Sequence, residues 1–384
     1  MKIVGIRGYH VGCRLPEAQG NASGWYDQRA SLIIELIGDN GLSGWGETWH
    51  SPGAAAGAIR ENLAALVLGA DACNRRALWA GLTSRLGYDR QGVSMMAISA
   101  IDMAVWDLVA RSEGVSIADL LGGRLRDRCF VYASGPYFRP NGDPYRDYVQ
   151  EAEGYRQAGF RAIKMKVGVS ARADGAVAKA VRQAIGPDCA LMVDGNHGYT
   201  ARGAINAAGH MEDADLLWFE EPVLPNEPAA YKRIIDAVPM AVAGGEALGG
   251  INAFRDFLFP TPLFDIAQPD LAICGGFSEA VRIATLADAA SVPVVPHVWG
   301  TAINLFASLQ LVAVLPGRHT GVVAHAAFPW LELDRSPNPL RTFCGEPILA
   351  GDGTVSIPDG PGLGIEIHTA DFEAFISDSW SVDE

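Results

Sequence analysis

Three acidic residues, Asp194, Glu220 and Glu246, each end a short apolar run, and both intervals between them are 26 residues. Leu191-Met192-Val193 leads into Asp194, Leu216-Leu217-Trp218-Phe219 into Glu220, and the run 240–245 into Glu246. That interval is about the length of one strand, one helix and their two short loops. Carboxylates at the same end of three consecutive parallel strands converge on one point. There they repel one another unless a cation lies between them, and hard oxygen ligands suit Mg²⁺. The spacing therefore predicts a metal site at the top of a β/α barrel, with Asp194, Glu220 and Glu246 as its ligands.

The alternation extends to both sides of the acids. Strands are expected at Phe130–Ser134, Ala162–Val167, 190–194, 216–220, 240–246, 264–268 and 292–297. Helices are expected over Tyr145–Ala158, ended by Gly159, and Ala173–Ile185, ended by Gly186-Pro187. A unit repeated this often predicts a parallel sheet, and its regular period favours a closed barrel over about 126–345. That length is slightly short for eight full units, which leaves room for one helix to be replaced or absent.

Residues 1–125 read differently. Ser31–Ile37 is rich in β-branched residues, Gly38-Asp39-Asn40-Gly41 is a hairpin turn signal, and Gly44-Trp45-Gly46-Glu47 ends the second arm. The polar segment Pro16–Tyr26 is expected to be a loop that can move. From Ala54 to Leu121 the apolar spacing is helical, as in the series Ile98, Ile101, Val105 and Leu108. This is an α+β unit. Residues 346–384 are turn- and strand-like again and are expected to return onto it; no low-complexity linker separates this unit from the barrel, so a tight interface between the two is expected.

Composition narrows the function. A net charge of −14 supplies no basic stripe for nucleic acid. It says little against a small anionic substrate, because a metal and a few lysines can reverse the field inside one pocket. No signal-peptide pattern or membrane-length apolar run is seen. The six cysteines are scattered without a CxxC pair, as expected of reduced thiols in a cytoplasmic protein.

Lys164-Met165-Lys166 lies on the strand before Asp194, where alternation puts both lysines on one face and Met165 toward the helices. Each ammonium depresses the pKa of the other, and a lysine so tuned can act as a general base. The alternative is a surface pair on an edge strand. Asp270 follows Gln268-Pro269, and His297 follows Val294-Val295-Pro296, 27 residues later. Adjacent strand ends would bring them together, the aspartate orienting the imidazole and raising its basicity. Asn196 and His197 lie just past Asp194, and His197 is placed either to touch a substrate or to hold its loop. His50 sits in a loop within reach of the barrel mouth, whereas His210, His319, His325 and His368 read as structural or exposed. Gly275-Gly276 resembles a phosphate cradle, but a tight helix start explains it as well. One metal, a lysine and a histidine–aspartate pair suit removal of a proton α to a carboxylate, with bases on opposite faces of that carbon. No cofactor motif or serine or cysteine nucleophile is called for.

These residues resemble the enolase superfamily, specifically its mandelate racemase-like group, over nearly the whole chain. The resemblance implies an α/β fold: a modified TIM barrel, (β/α)7β, behind an N-terminal α+β capping domain. Lys164-Met165-Lys166 is similar to that group's KxK, Asp194, Glu220 and Glu246 to its Mg²⁺ ligands, and Asp270 with His297 to its dyad. A closer likeness is to cycloisomerases that open aldaric acid lactones. It rests on Asp194-Gly195-Asn196-His197-Gly198-Tyr199-Thr200, Trp218-Phe219-Glu220-Glu221-Pro222-Val223, Gln268-Pro269-Asp270-Leu271, Cys274-Gly275-Gly276-Phe277-Ser278-Glu279, Pro296-His297-Val298-Trp299-Gly300-Thr301 and Ile357 to Ile367. Gly195 stands where that pattern usually has alanine. In this superfamily the capping loops, here around Asn21–Tyr26, choose the substrate. Glu332 would close the barrel on the eighth strand, where in the family a glutamate, when protonated, can hydrogen-bond the substrate carboxylate. The alternative is an exposed glutamate at a strand end.

The resemblance implies an Mg²⁺-dependent lyase or cycloisomerase for a lactone of the galactarolactone or glucarolactone type. Lys166 or His297 takes the α-proton, Lys164 helps hold the enediolate, and the ring oxygen leaves to give a 3-deoxy-2-keto-hexarate. Asn196, His197 and Glu332 are the expected substrate contacts, and the protein is expected to be a homo-oligomer. An acid-sugar dehydratase, a racemase or epimerase of a hydroxy acid, and a sugar-acid-binding protein without turnover are the alternatives. The intact Lys166 and His297 argue against the last.

Overall fold

The first two strands, β1 (Ile3–Asn21) and β2 (Gly24–Gly38), form one long antiparallel hairpin that turns at Ala22-Ser23. In this computed structural model, which describes residues 1–318 and 327–383, the segment 16–26 is thus not the expected loop. Its pairing slips between Arg14 and Gln19 and then resumes as Gln19↔Tyr26, Gly20↔Trp25 and Asn21↔Gly24. The far side of the tip is also held, because Gly20 and Phe138 exchange backbone hydrogen bonds of 3.0 and 2.8 Å. Ser23 Oγ donates to the Asn196 carbonyl at 2.7 Å. A polar, Gly-containing sequence reads as a loop, yet here backbone pairing on both edges satisfies it, and Trp25 and Tyr26 pack on Phe138 and Trp299.

Strand β3 (Ser43–Thr48) completes this sheet and lies against the helix Val93–Glu113, nearly all of whose first seventeen residues are buried. That helix is long and apolar enough to cross a membrane, and 83% of its most apolar window is buried inside the protein. The contact with β3 is backbone on backbone. A Cβ on Gly46 would stand 2.0 Å from the Ala100 carbonyl oxygen, and one on Gly44 would stand 2.2 Å from that of Ala104. The Gly-x-Gly spacing therefore places two bare faces of the strand on one turn of the helix.

The second sheet is parallel and built on a two-residue alternation. Its strands are β4 (Arg128–Ser134), β5 (Ala162–Lys166), β6 (Ala190–Asp194), β7 (Leu216–Glu220), β8 (Ala241–Gly244), β9 (Ile266–Ala267) and β10 (Trp330–Asp334), in the order β10-β4-β5-β6-β7-β8-β9. Inward positions form a core of Phe130, Tyr132, Met192, Trp218, Ile266, Val295 and Trp330. Outward positions such as Ile163, Met165, Leu191, Val193 and Phe219 pack with the helices. Burying each large inward side chain contributes about 3 kcal/mol. Helices follow β4–β9 at Tyr148–Gln157, Ala171–Ile185, Ala201–His210, Pro228–Ile235, Gly250–Leu258 and Gly276–Ala289, and a seventh, Ala302–Val314, follows the seventh-strand position at 292–297. This is the (β/α)7β arrangement.

The expected strands shrink on one side of the barrel. The 240–246 run stops at Gly244, because Gly245 turns to φ +117°, and 264–268 keeps only Ile266–Ala267. Residues 292–297 are not a strand: a single bridge, Ala267↔Val294, holds them beside β9. Pro293 and Pro296 have no N–H to give a ladder. Toward β10 the Val298 N–H instead donates to Glu332 Oε2 at 3.2 Å, a side chain standing in for ladder bonds.

The C-terminal residues cross back over both sheets. Strand β11 (Thr354–Ser356) adds antiparallel to β4, and β12 (Ile376–Asp383) adds antiparallel to β1. Between them, buried Asp107 accepts from the Trp45 N–H at 2.9 Å, the Leu363 N–H at 2.8 Å and Arg111 Nε at 2.9 Å. One carboxylate thus ties β3, the long helix and the returning tail. Replacing Gly46 with Ala should cost about 3 kcal/mol or more, since the new methyl meets rigid helix backbone. Urea unfolding of the variant measures this, and an unchanged midpoint would contradict the packing described.

Candidate active site

Register places the acids. Lys166 on β5 is opposite Asp194 on β6, Asp194 is opposite Glu220 on β7, and Glu220 is opposite Ala243 on β8, three residues before Glu246. Oxygens of Asp194, Glu220 and Glu246 consequently lie within 4.8 Å of one another. Both lysines face inward with them. Lys166 Nζ is 2.5 Å from Asp194 Oδ2, and Lys164 Nζ bonds Glu220 Oε1 and lies 2.9 Å from Glu332 Oε1. The pair is fully buried, so the surface-lysine alternative does not hold.

Each acid has a different electrostatic balance. Burial opposes the charge on Asp194, but Lys166 and Lys164 outweigh it and hold the carboxyl well below its ordinary value. Burial pushes Glu220 up to about 7 against the pull of Lys164, although Trp218 Nε1 (3.0 Å) and Gln268 Nε2 (2.6 Å) both donate to its Oε2. Burial and the charge of Glu221 push Glu246 up to about 8, and its buried Oε2 has no hydrogen-bond donor. Carboxylate oxygens alone, clustered this closely and with one left unsatisfied, fit a hard divalent cation.

The lysines are not depressed as expected. Burial lowers Lys164, yet Glu220 and Glu332 hold it well above the ordinary lysine value, and Asp194 likewise raises Lys166. Neighbouring carboxylates outweigh the ammonium–ammonium repulsion when they have no other counter-charge. Glu332 is buried, which removes the exposed strand-end alternative. Burial would raise its carboxyl, but Lys164, His297 and Lys166 hold it down to about 2. With Lys164, His297 and Lys166 around it, this side chain has cationic partners on every side in the metal-free arrangement.

His297 Nδ1 is 2.8 Å from Asp270 Oδ2, and its Nε2 faces Glu246 Oε2 at 3.3 Å. Burial opposes the imidazolium, while Glu246, Glu332 and Asp270 raise it to about 10. Asp270 is held by more than the histidine. Trp49 Nε1 donates to Oδ2, and Asn304 Nδ2 to Oδ1, both at 2.9 Å, and the Ala272 N–H to Oδ1 at 2.8 Å. Trp49 comes from the end of β3, so the N-terminal unit reaches the pair directly. Just before it, buried Glu47 accepts from the Thr301 and Asn304 N–H groups at 2.9 and 3.0 Å.

A cavity of about 410 Å³ opens above these groups, lined by Lys166, Asn196, Glu246 and His297 from the barrel side and Tyr26, Arg29, Trp49 and His50 from the other. Asn196 gives its N–H to Asp194 Oδ1 at 2.9 Å, and its side-chain oxygen is buried without a partner. His197 does not line this cavity. It turns to buried Glu221, with Nε2 2.5 Å from Oε2, which favours the loop-holding reading over substrate contact. His210 and His368 are exposed, and His319 and His325 lie outside the described residues. Gly275 and Gly276 pack on the N-terminal unit, where a Cβ on Gly276 would meet Asp102 Oδ2 at 2.5 Å. They make a tight helix start, as the alternative to a phosphate cradle had it.

Sequence reasoning missed Trp49, Asn304, Gln268 and Arg29. Trp49 is the neighbour of His50 and Gln268 stands in the motif quoted with Asp270, but a side chain serving a neighbour leaves no period of its own.

The family model for the mandelate racemase / muconate lactonizing enzyme N-terminal domain matches residues 20–122, and the enolase C-terminal domain-like model matches 147–371. The chain belongs to the mandelate racemase / muconate lactonizing enzyme family of the enolase superfamily, and it is an enzyme of the lyase and isomerase kind. It is 40% identical to D-galactarolactone cycloisomerase of Agrobacterium fabrum, over 96% of this chain and 97% of that one. Its fold is similar to the crystal structure of the 3,6-anhydro-D-galactonate cycloisomerase from Zobellia galactanivorans, with a TM-score of 0.87, 34% identity, and 98% and 100% of the two chains covered. A racemase from Streptomyces coelicolor A3(2) with bound magnesium matches with a TM-score of 0.85 and 27% identity, over 97% of this chain and 99% of that one.

The His197–Glu221 contact makes stability depend on pH. Burial lowers the imidazole, but Glu221 outweighs it and raises His197 to about 9. A raised folded pKa gives stability that is complete below the unfolded value of about 6.5 and lost as pH rises through the folded one. In chelator-treated protein, His197→Gln should lose about 3 kcal/mol at low pH and much less near pH 10. Paired urea titrations test this, and a loss independent of pH would contradict the pairing.

Proposed function

We propose that this enzyme removes the proton α to the free carboxylate of an aldaric acid lactone, of galactarolactone or glucarolactone type, and opens the ring by β-elimination. The observation that carries the reading is the arrangement of two bases around one acid cluster: Lys166 over Asp194, and His297, oriented by Asp270, over Glu246. The 40% identity to a galactarolactone cycloisomerase over nearly the full chain supports the lactone.

Asp194, Glu220 and Glu246 would hold Mg²⁺. When bound, that ion supplies positive charge where proton removal places negative charge on the substrate carboxylate. With its charge engaged there, Asp194 no longer raises Lys166. Burial and Lys164 then lower Lys166 toward the range of a useful base. Asp270, fixed by Trp49 and Asn304, holds the His297 tautomer so that Nε2 faces the cavity. Lys164 lies deeper and contributes a fixed positive charge to the enediolate. Asn196 offers its free amide oxygen to a substrate hydroxyl. Lys166 or His297 takes the proton according to the configuration at the carbon, and the lactone leaves as a 3-deoxy-2-keto-hexarate enol that tautomerises. The second reading is an acid-sugar dehydratase, in which protonated His297 gives its proton to a departing hydroxyl.

Acid sugars and their lactones, incubated with enzyme and Mg²⁺ and followed by NMR in D₂O, test the proposal. Lactones should open with deuterium entering the product; turnover of open-chain acids alone would replace this reading with the dehydratase. Glu220→Gln should lose at least about 1,000-fold in turnover with an unchanged circular dichroism spectrum. Substantial turnover in that variant would remove Glu220 from the ligand set.

A further inference from the structure

Arg29, on β2, is the one arginine lining the cavity among the described residues, and it is 4% exposed. Its guanidinium lies 3.4 Å from the centroid of the Trp299 ring. One nitrogen is occupied: Nη2 donates to Asp334 Oδ2 at 3.0 Å and to Ser336 Oγ. Asp334 is itself saturated, taking Tyr137 Oη at 2.9 Å, the Ser336 N–H at 2.9 Å and Ser336 Oγ at 2.7 Å. The other two nitrogens, Nε and Nη1, are buried and have no hydrogen-bond partner. Leaving charged donors buried and unpaired costs more than a neutral donor would, so a partner that arrives with the ligand is called for.

The position fits an acceptor at the far end of the substrate. Tyr137 links Arg29 to the bases, since its hydroxyl is bonded to the Asp334 that holds Arg29 and its ring lies 5.5 Å from Lys166 Nζ. Arg29 thus lines the same cavity as Lys166 and His297, and it has no ion pair with Asp194, Glu220 or Glu246. A planar guanidinium with free N–H groups matches a carboxylate better than a hydroxyl.

The reaction proposed above generates such a group, and the inference rests on that reading. In an aldaric lactone the ring oxygen is the acyl oxygen. The base takes the α-proton, and its C–H electron pair becomes the α–β double bond. The bond from the β-carbon to the ring oxygen breaks, and its electron pair leaves on that oxygen. The departing group is thus a carboxylate still attached through the chain. It needs a cationic partner and no proton. The enol then takes a proton at the β-carbon and loses its hydroxyl proton to become the ketone, so the net change is an isomerisation. A leaving hydroxide or ring-ether alkoxide would instead need an acid.

We infer that Arg29 receives the carboxylate released from the lactone and so selects acyl-oxygen leaving groups over hydroxyl or ether oxygen. Arg29→Lys keeps a cation beside Asp334 but lacks the N–H groups of the two unpaired nitrogens. Ring opening should fall at least about 100-fold in that variant, while deuterium exchange at the α-carbon of unopened lactone persists. Guanidinium ion should restore opening several-fold in Arg29→Ala, and ethylammonium should not. A wild-type measurement stands beside these: the 3-deoxy-2-keto-hexarate product should inhibit at least about tenfold more tightly than its distal monoamide. Opening within threefold of wild type, an equal loss of exchange and opening, or equal inhibition by the two compounds would overturn the inference. If wild-type enzyme opens no lactone at all, the lactone reading fails first, and that result is visible without any variant.

Discussion

Mutual repulsion among buried carboxylates is the constraint on which the upper half of this barrel depends. Asp194, Glu220, Glu246 and Glu332 share one interior with two lysines and a histidine. Burial alone would force the acids to take up protons. The parallel register decides which acid gets which partner: Lys166 goes to Asp194 and Lys164 to Glu220 and Glu332. Glu246 has no lysine, and His297 at 3.3 Å does not offset burial and the charge of Glu221, which push its carboxyl up. The lower layers, with Trp218 and Trp330 among their aromatics, exclude water beneath this cluster and keep its charges strong.

The N-terminal unit completes the site as well as covering it. Its glycine-faced β3 packs on helix backbone, and the residues that follow, Glu47 and Trp49, reach the start of the last barrel helix and the Asp270 carboxylate. The β1–β2 hairpin brings Arg29 over the cavity and pins its tip to Phe138 and Asn196. Of the groups this unit brings to the cavity, Tyr26 and Arg29 are held by strand pairing in the hairpin, while Trp49 and His50 follow the end of β3.

Much of the fold was legible because barrel strands announce themselves twice, through apolar runs and through the acid that ends each run. The three carboxylates, the inward lysines and the His297–Asp270 approach all follow from period and spacing. Residues 292–297 were over-read as a strand, because Val294 and Val295 fit one while Pro293 and Pro296 deny it a ladder. The hairpin tip at 16–26 was under-read, because its stability comes from backbone partners distant in sequence. The lysines and Glu332 face the cluster, but their charge balance is a sum over all the neighbouring carboxylates and cations, Glu221 and Asp270 included, which spacing along the chain does not show. Arg29 carried no motif and became visible only through donors without acceptors.

The central claim is that the acid cluster is built around one divalent cation. Equilibrium dialysis of chelator-stripped protein against Mn²⁺, with bound ion counted by electron paramagnetic resonance, tests it most directly. One tightly held ion per chain is expected at about pH 8, weakening as pH falls and Glu220 and Glu246 take up protons, with at least about 100-fold weaker binding in Asp194→Asn. Absence of saturable binding by the wild-type chain, or undiminished binding by the variant, would contradict it.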